Sequence, residues 1–145
     1  MQTYFPNFEL REFLESDTAK ARGIDNTPSF SDVLHIMELC EVLLQPLRDA
    51  WGSPINVTSG YRCEKLNKAV GGVSSSAHLI GYAVDLQPGN GRFEDFVKFV
   101  RAWVAKYQIK FDQILIESQG CVKWLHIGLR SNGGLQRRQI KFIDL

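Results

Sequence analysis

The stretch from Ser76 to Asp85 constrains the fold more than any other part of the chain. His78 and Asp85 lie in it seven residues apart, with Gly81 between them. One helix could present both side chains on one face, but Gly81 followed by Tyr-Ala-Val favours a loop that enters a strand. A loop histidine and a strand aspartate can converge, and His126 from another strand would complete a three-ligand site. Three protein ligands leave the fourth position of a zinc ion open, as in catalytic zinc sites.

Spacing alone leaves a second interpretation of this stretch open. The order of histidine, aspartate and distant histidine is not a helical zinc signature such as H-E-x-x-H. His78 could instead be an exposed loop residue, and Asp85 could cap a turn before Pro88 and Gly89. The choice between a metal site and a plain surface loop therefore depends on the segments around it.

Four segments, in the expected order, resemble the peptidase M15 family: the zinc D-alanyl-D-alanine carboxypeptidases and related bacterial and phage cell-wall peptidases, here in their compact single-domain branch. SSSAHLIGYAVDL resembles the S-x-H-x-x-G-x-A-x-D motif, and WLHI resembles the segment with the last zinc histidine. SGYRCEKLN resembles the segment before the motif, and FELREFLESDTAKARGIDNTP resembles the usual start. The similarity covers roughly residues 8 to 130. It implies that His78, Asp85 and His126 bind Zn²⁺, in a fold shared with the signalling domain of Hedgehog proteins.

Glu117 is the predicted general base of this site. In some relatives the base lies three residues before the last histidine, but Lys123 occupies that position here. In others, including the Hedgehog layout, a glutamate ends a strand that reads F-D-x-x-x-x-E, and the segment from Phe111 to Glu117 fits that pattern. The alternative is that Glu117 is a surface carboxylate at a loop edge.

Arg62 is the predicted substrate-binding cation, since a guanidinium can hold a terminal carboxylate through two parallel hydrogen bonds. The matching arginine of the family does similar work; the alternative is a surface arginine after a turn. Ser76 is expected to bind a ligand or the substrate. Trp124 stands where relatives have the first histidine of H-x-H, and it is expected to form a wall of the site. Asp112 is predicted to accept the second N–H of a zinc histidine, as carboxylates beside metal ligands commonly do.

Helices precede strands along the chain, which favours an α+β fold with a central antiparallel sheet and helices packed on one face. The best helix is predicted from Ser31 or Asp32 to about Ala50, with an apolar stripe that includes Cys40. His35 lies opposite that stripe and is predicted to be solvated. A second amphipathic helix is predicted over Phe93 to Lys106.

The end of the chain is predicted to form a hairpin. The sequence Ser-Asn-Gly-Gly over residues 131–134 is a strong turn signal. A last strand from Gln136 to Ile143 would then pair with the predicted strand from Val122 to Leu129. Earlier strands are predicted over Ile55 to Thr58, Tyr82 to Leu86 and Phe111 to Glu117.

Composition sets bounds on the class of protein. The 145 residues, 44% of them hydrophobic, fit one zinc peptidase domain spanning residues 1–145. A net charge of +1 without a basic stripe argues against nucleic acid as a partner. No apolar run is long enough to span a bilayer, and the first residues do not read as a secretory signal. A monomer made in the cytoplasm that acts on the cell wall is expected.

Three functions remain open at this level. The favoured one is a zinc metallopeptidase that cuts peptidoglycan stem peptides or cross-links, of the D,D-carboxypeptidase or D,D-endopeptidase type, through a metal-activated water and a glutamate base. A second is an L-alanyl-D-glutamate endopeptidase, as in phage endolysins, which would suit a phage lysis or virion protein. The third is a zinc-stabilised binding module without turnover.

Overall fold

The structure is a computed structural model that describes residues 5–130 and 135–145. Its helices are α1 (Asp17–Arg22), α2 (Phe30–Leu39), α3 (Gln45–Trp51), α4 (Glu64–Ala69) and α5 (Phe93–Lys106). Its strands are β1 (Ile55–Ser59), β2 (Ala83–Pro88), β3 (Gln113–Gln119), β4 (Val122–Gly128) and β5 (Gln139–Asp144). None of the helices in these two ranges combines the length and the apolar character needed to cross a membrane.

One long helical segment supports the sheet. Ser29 caps α2, and the π-helical turn Cys40–Leu44 links it to α3 without a break. Pro46 lies two residues after the end of this turn, as the second residue of α3. A proline has no N–H to donate to the carbonyl four residues earlier, and its ring clashes with that carbonyl. A widened turn before Pro46 relieves that conflict. The predicted helix is confirmed, and so is the core position of Cys40, where burial raises the pKa of the thiol to about 12.

A short 3-10 turn precedes α1 in the N-terminal segment. This turn spans Leu10–Phe13, with Glu9 at its cap position. Helix α1 is defined at both ends: the Ser16 hydroxyl accepts the Ala19 N–H, and Gly23 ends the helix in the left-handed conformation, with φ +64°.

The five strands form one sheet in the order β1-β2-β4-β3-β5. The first four pair antiparallel, as predicted, whereas β5 pairs parallel with β3. The predicted hairpin pairing of the last strand with β4 is therefore wrong, since β2 and β3 already occupy both edges of β4. The predicted turn over residues 131–134 lies outside the described residues.

The two faces of the sheet have different roles. Alternate residues of the inner strands, among them Val84, Leu125 and Ile114, are fully buried in the core beneath the long helices. The residues between them point to the opposite face, because successive side chains of a strand alternate. That opposite face carries Asp85 and His126. The predicted α+β class with helices on one face is confirmed, and the other face is left to carry the site.

The prediction of a solvated His35 on α2 is wrong. Its ring stacks on Tyr82 with 4.1 Å between ring centroids, and its Nδ1 lies 2.6 Å from the carbonyl oxygen of Ile80. The helical periodicity correctly placed His35 opposite the core stripe, but the 3-10 turn Ala77–Ile80 and the residues after it pack on that side of α2.

Candidate functional site

Two of the predicted ligands are direct neighbours across the sheet. Asp85 of β2 lies opposite His126 of β4, which places both side chains on the face away from the core. The Oδ1 atom of Asp85 lies 3.1 Å from His126 Nδ1 and 3.3 Å from His78 Nε2. One ligand atom from each of the three residues falls within 4.8 Å of the others. The fold thus gathers the three residues that the motif singled out.

His78 reaches this point from the 3-10 turn Ala77–Ile80. The Ser76 hydroxyl accepts the His78 backbone N–H at 3.2 Å, and Gly81 ends the turn in the left-handed conformation, with φ +82°. His78 is 1% exposed, and its Nδ1 donates to the Gly60 carbonyl oxygen over 2.6 Å. Since Nδ1 carries the proton, Nε2 is left with its lone pair facing Asp85, which is the form that binds a metal.

The charges of the cluster suit a cation. Burial lowers the pKa of His78, so the ring favours its neutral form. Burial alone would raise the pKa of Asp85, but the imidazoles of His78 and His126 contact the carboxylate and lower that pKa overall. Two imidazoles and one carboxylate form a donor set that fits Zn²⁺, with His78 offering Nε2 and His126 offering Nδ1.

Glu117 and Trp124 stand beside this cluster as another cross-strand pair. They lie opposite each other in β3 and β4, and the indole Nε1 donates to Glu117 Oε1 at 3.1 Å. Both line the same cleft as His78, Asp85 and His126. The indole bond restricts the carboxylate to one side of the cleft and leaves it acceptor capacity for a further hydrogen bond.

Arg62 and Ser76 form the opposite side of the cleft. The guanidinium of Arg62 approaches the Ser76 hydroxyl at 3.5 Å, a weak contact, and Arg62 Nε has no hydrogen-bond partner among the described residues. Burial lowers the pKa of Arg62, an effect that Asp85 and Glu117 oppose through their charge. Arg62 thus remains a cation at the edge of the cleft, without an ion pair of its own within residues 5–130 and 135–145.

Comparison with known proteins decides the family. Residues 6–126 match the sequence profile of the family described as Peptidase M15. The chain belongs to the peptidase M15 family. The predicted resemblance and the assignment to the zinc-dependent peptidases are thereby confirmed. The matched residues end at His126, the last of the three clustered residues.

A named relative supports zinc as the metal. The chain is 45% identical over 51 residues to the zinc D-Ala-D-Ala carboxypeptidase of Streptomyces albus G. That segment makes up 34% of this chain and only 20% of the relative. The predicted cofactor agrees with both findings: the relative is a zinc enzyme, and the chain gathers a histidine–aspartate–histidine cluster that could hold the ion.

One predicted role in this M15 site is contradicted. Asp112 does not accept a hydrogen bond from a zinc-ligand histidine; its carboxylate pairs with the guanidinium of Arg137 at 2.6 Å and accepts the Arg137 backbone N–H. The acceptor for His78 Nδ1 is instead the main-chain carbonyl of Gly60. Sequence reasoning missed Gly60 because a backbone acceptor leaves no side-chain signature. The glycine at position 60 is itself a sign of a close backbone contact. In the structure, a Cβ there would lie 2.6 Å from the Cα atom of Phe13.

The Asp112–Arg137 pair should make the stability of this M15 domain vary with pH in the acid range. Burial alone would raise the pKa of Asp112, but hydrogen bonds from the side chain and backbone of Arg137 lower it overall. A carboxyl whose folded pKa is lowered stabilises the fold above its unfolded pKa and loses that contribution as the pH falls through the folded value. Asp112→Asn should therefore lower the thermal unfolding midpoint at pH 7, and the difference from wild type should shrink below about pH 4.

Thermal melts of both proteins at several pH values check this expectation. Asp95→Asn is the matched control, because Asp95 pairs with Arg92 at the surface, where an ion pair contributes little. A difference between Asp112→Asn and wild type that stays constant from pH 7 into the acid range would contradict the assigned role of the pair.

Proposed function

We propose that the chain is a zinc peptidase that hydrolyses peptide bonds of bacterial peptidoglycan, in stem peptides or in their cross-links. His78, Asp85 and His126 would hold the ion, Glu117 would act as the general base, and Arg62 would bind the substrate. The observation that carries the proposal is the convergence of the three ligand atoms within 4.8 Å in a cleft that Glu117 and Arg62 also line.

The residues of the chain divide the chemistry of hydrolysis between them. A bound Zn²⁺ supplies Lewis acidity, which polarises a carbonyl and lowers the pKa of a water. Glu117 takes a proton from the attacking water as the new C–O bond forms, and delivers a proton to the leaving nitrogen as the C–N bond breaks. The Trp124 N–H, 3.1 Å from Glu117 Oε1, holds the carboxylate in place for both transfers.

Arg62 supports action at a chain end. Its guanidinium lies on the cleft wall beside Ser76 and lacks an ion-pair partner among the residues that the structure describes. Because a planar guanidinium matches the geometry of a carboxylate, it is suited to the terminal carboxylate of a stem peptide. D,D-carboxypeptidase action follows directly from this role, and D,D-endopeptidase or L-alanyl-D-glutamate endopeptidase action are the alternatives. Two further expectations stay predictions: that the protein is a monomer, and that it acts in phage lysis or belongs to a phage particle.

Mass spectrometry of purified muropeptides after incubation with the zinc-loaded protein tests the proposal. Loss of a single terminal alanine identifies the carboxypeptidase, and separation of cross-linked dimers without shortening identifies the D,D-endopeptidase. Cleavage between L-alanine and D-glutamate identifies the third activity. A zinc-loaded protein that releases nothing from any of these substrates contradicts the proposed peptidase, and a zinc-stabilised binding module then takes its place.

Arg62→Lys should slow cleavage of substrates that end in a free carboxylate, because an ammonium offers a point charge where a guanidinium offers two parallel donors. Substrates with an amidated end should be cleaved equally by the variant and the wild type. Parallel assays on matched free-acid and amidated peptides measure this difference. An equal loss on both would remove Arg62 from carboxylate binding and favour an endopeptidase.

A further inference from the structure

Helix α2 contacts the turn that carries His78 at two points. His35 Nδ1 lies 2.6 Å from the Ile80 carbonyl oxygen, two residues after His78. The ring of His35 also stacks on Tyr82, with an interplanar angle of 16°. The Tyr82 hydroxyl in turn bonds the carboxylate of Glu38, one helical turn after His35. Both sides of Gly81 are therefore tied to the same helix.

The backbone at Gly81 leaves no room for the turn to shift toward α2. A Cβ atom at this position would lie 2.5 Å from the carbonyl oxygen of Asp32 and 3.0 Å from the side chain of Ile36. The main chain of the turn thus packs directly on the helix. The only polar side chain of α2 that bonds this main chain, within the described part of the protein, is His35.

The opposite side of the turn is fixed by the segment after β1. His78 Nδ1 donates to Gly60 O, and the Arg62 N–H donates to His78 O at 3.0 Å. These bonds fix the ring and backbone of His78 on the side of the cleft. The bond and the stack from His35 fix the same turn from the side of the helix layer.

We propose that His35 is a positioning residue for the metal centre. By donating Nδ1–H to the Ile80 carbonyl and stacking on Tyr82, it holds the turn Ala77–Ile80 so that His78 Nε2 points at Asp85. This inference rests on the proposed function, because it takes His78 as a ligand of the metal. His35 touches neither the substrate nor the ion, and it acts only through the backbone that carries His78.

Two variants of His35 separate the hydrogen bond from the ring stack. His35→Phe keeps a flat ring against Tyr82 and removes the donor. His35→Asn loses the ring but keeps an N–H donor at a reach similar to that of Nδ1. Loss of a residue that supports a metal ligand typically lowers metal affinity by about 10- to 100-fold. The Phe variant should bind Zn²⁺ about tenfold more weakly than wild type, at the lower end of that range. The Asn variant should recover most of that affinity.

The measurement is competition for Zn²⁺ between the protein and a chromogenic chelator, with the visible spectrum of the Co²⁺-loaded protein as a second readout of ligand geometry. The Phe variant should also change the Co²⁺ spectrum and lower kcat at saturating zinc with KM unchanged, because Arg62 and the cleft walls stay in place. Val100→Ala is the stability control. It removes a fully buried side chain of α5 and should destabilise the fold without altering the zinc affinity of the folded protein.

The outcomes distinguish this inference from the proposed function. A wild-type protein that binds no Zn²⁺ overturns the proposed function and the inference with it. Wild-type affinity and an unchanged Co²⁺ spectrum in His35→Phe overturn the inference alone. An equal loss of affinity in Val100→Ala also overturns it, since general instability would then account for the effect. Should His35→Phe fail to fold, His35→Met, which favours a helix and has no donor, takes its place with the same expected loss.

Discussion

Glu117→Gln should leave the zinc content and the fold unchanged while turnover falls by about 10² to 10⁴, the usual contribution of general acid–base catalysis. Glutamine keeps the size of the side chain and can still accept the N–H of Trp124, so the cross-strand contact survives. It cannot take a proton from water at neutral pH, and both proton transfers assigned to Glu117 are lost.

The Glu117 experiment combines zinc analysis, circular dichroism and a peptide-release assay on one preparation. Glu64→Gln is the matched control, because Glu64 is an exposed carboxylate on α4 that forms a surface ion pair with Lys68 at 3.7 Å. It should cleave at the wild-type rate. If Glu117→Gln cleaves as fast as wild type, the base is a different group and the cross-strand pair with Trp124 is structural.

His126→Ala should weaken Zn²⁺ binding by more than the roughly 100-fold that loss of an outer partner can cost, because it removes one of three direct ligands. Asp85 is left beside His78 alone, and two donors cannot complete a catalytic zinc site. Elemental analysis after dialysis measures the loss, and hydrolysis should stop with it.

Cys121→Ser is the control for the His126 experiment. Cys121 is an exposed free thiol in the turn between β3 and β4, so it tests whether a surface thiol contributes to the measured zinc. The control should retain one ion per chain. Full zinc occupancy in His126→Ala, together with wild-type activity, would remove the site from these three residues.

The sequence singled out the cluster of His78, Asp85 and His126 more successfully than it predicted the contacts around that cluster. His78, Asp85 and His126 could be singled out because each is a side chain within a recognisable motif. Helix α5 also begins and ends where its amphipathic pattern does, at Phe93 and Lys106. Such features depend on local periodicity or on residue types, both of which one sequence displays directly.

The features that the sequence missed depend on contacts between distant segments. The turn signal over residues 131–134 indicated a hairpin, but pairing of the last strand depends on which sheet edge is free, and β3 offers that edge. Asp112 was expected to reach a histidine, yet its nearest cation comes from Arg137, just before β5. The periodicity of α2 located His35 relative to its own helix and carried no information about the turn that packs against it.

The hydrogen bond from His78 Nδ1 to Gly60 has a consequence for mutational scans of this protein. Its acceptor belongs to the main chain, so no change of side chain can delete it. Any substitution at residue 60 instead forces a Cβ into the backbone of Phe13. A scan would therefore report a steric constraint at this position, while the group that selects the tautomer of His78 stays present in every variant that folds.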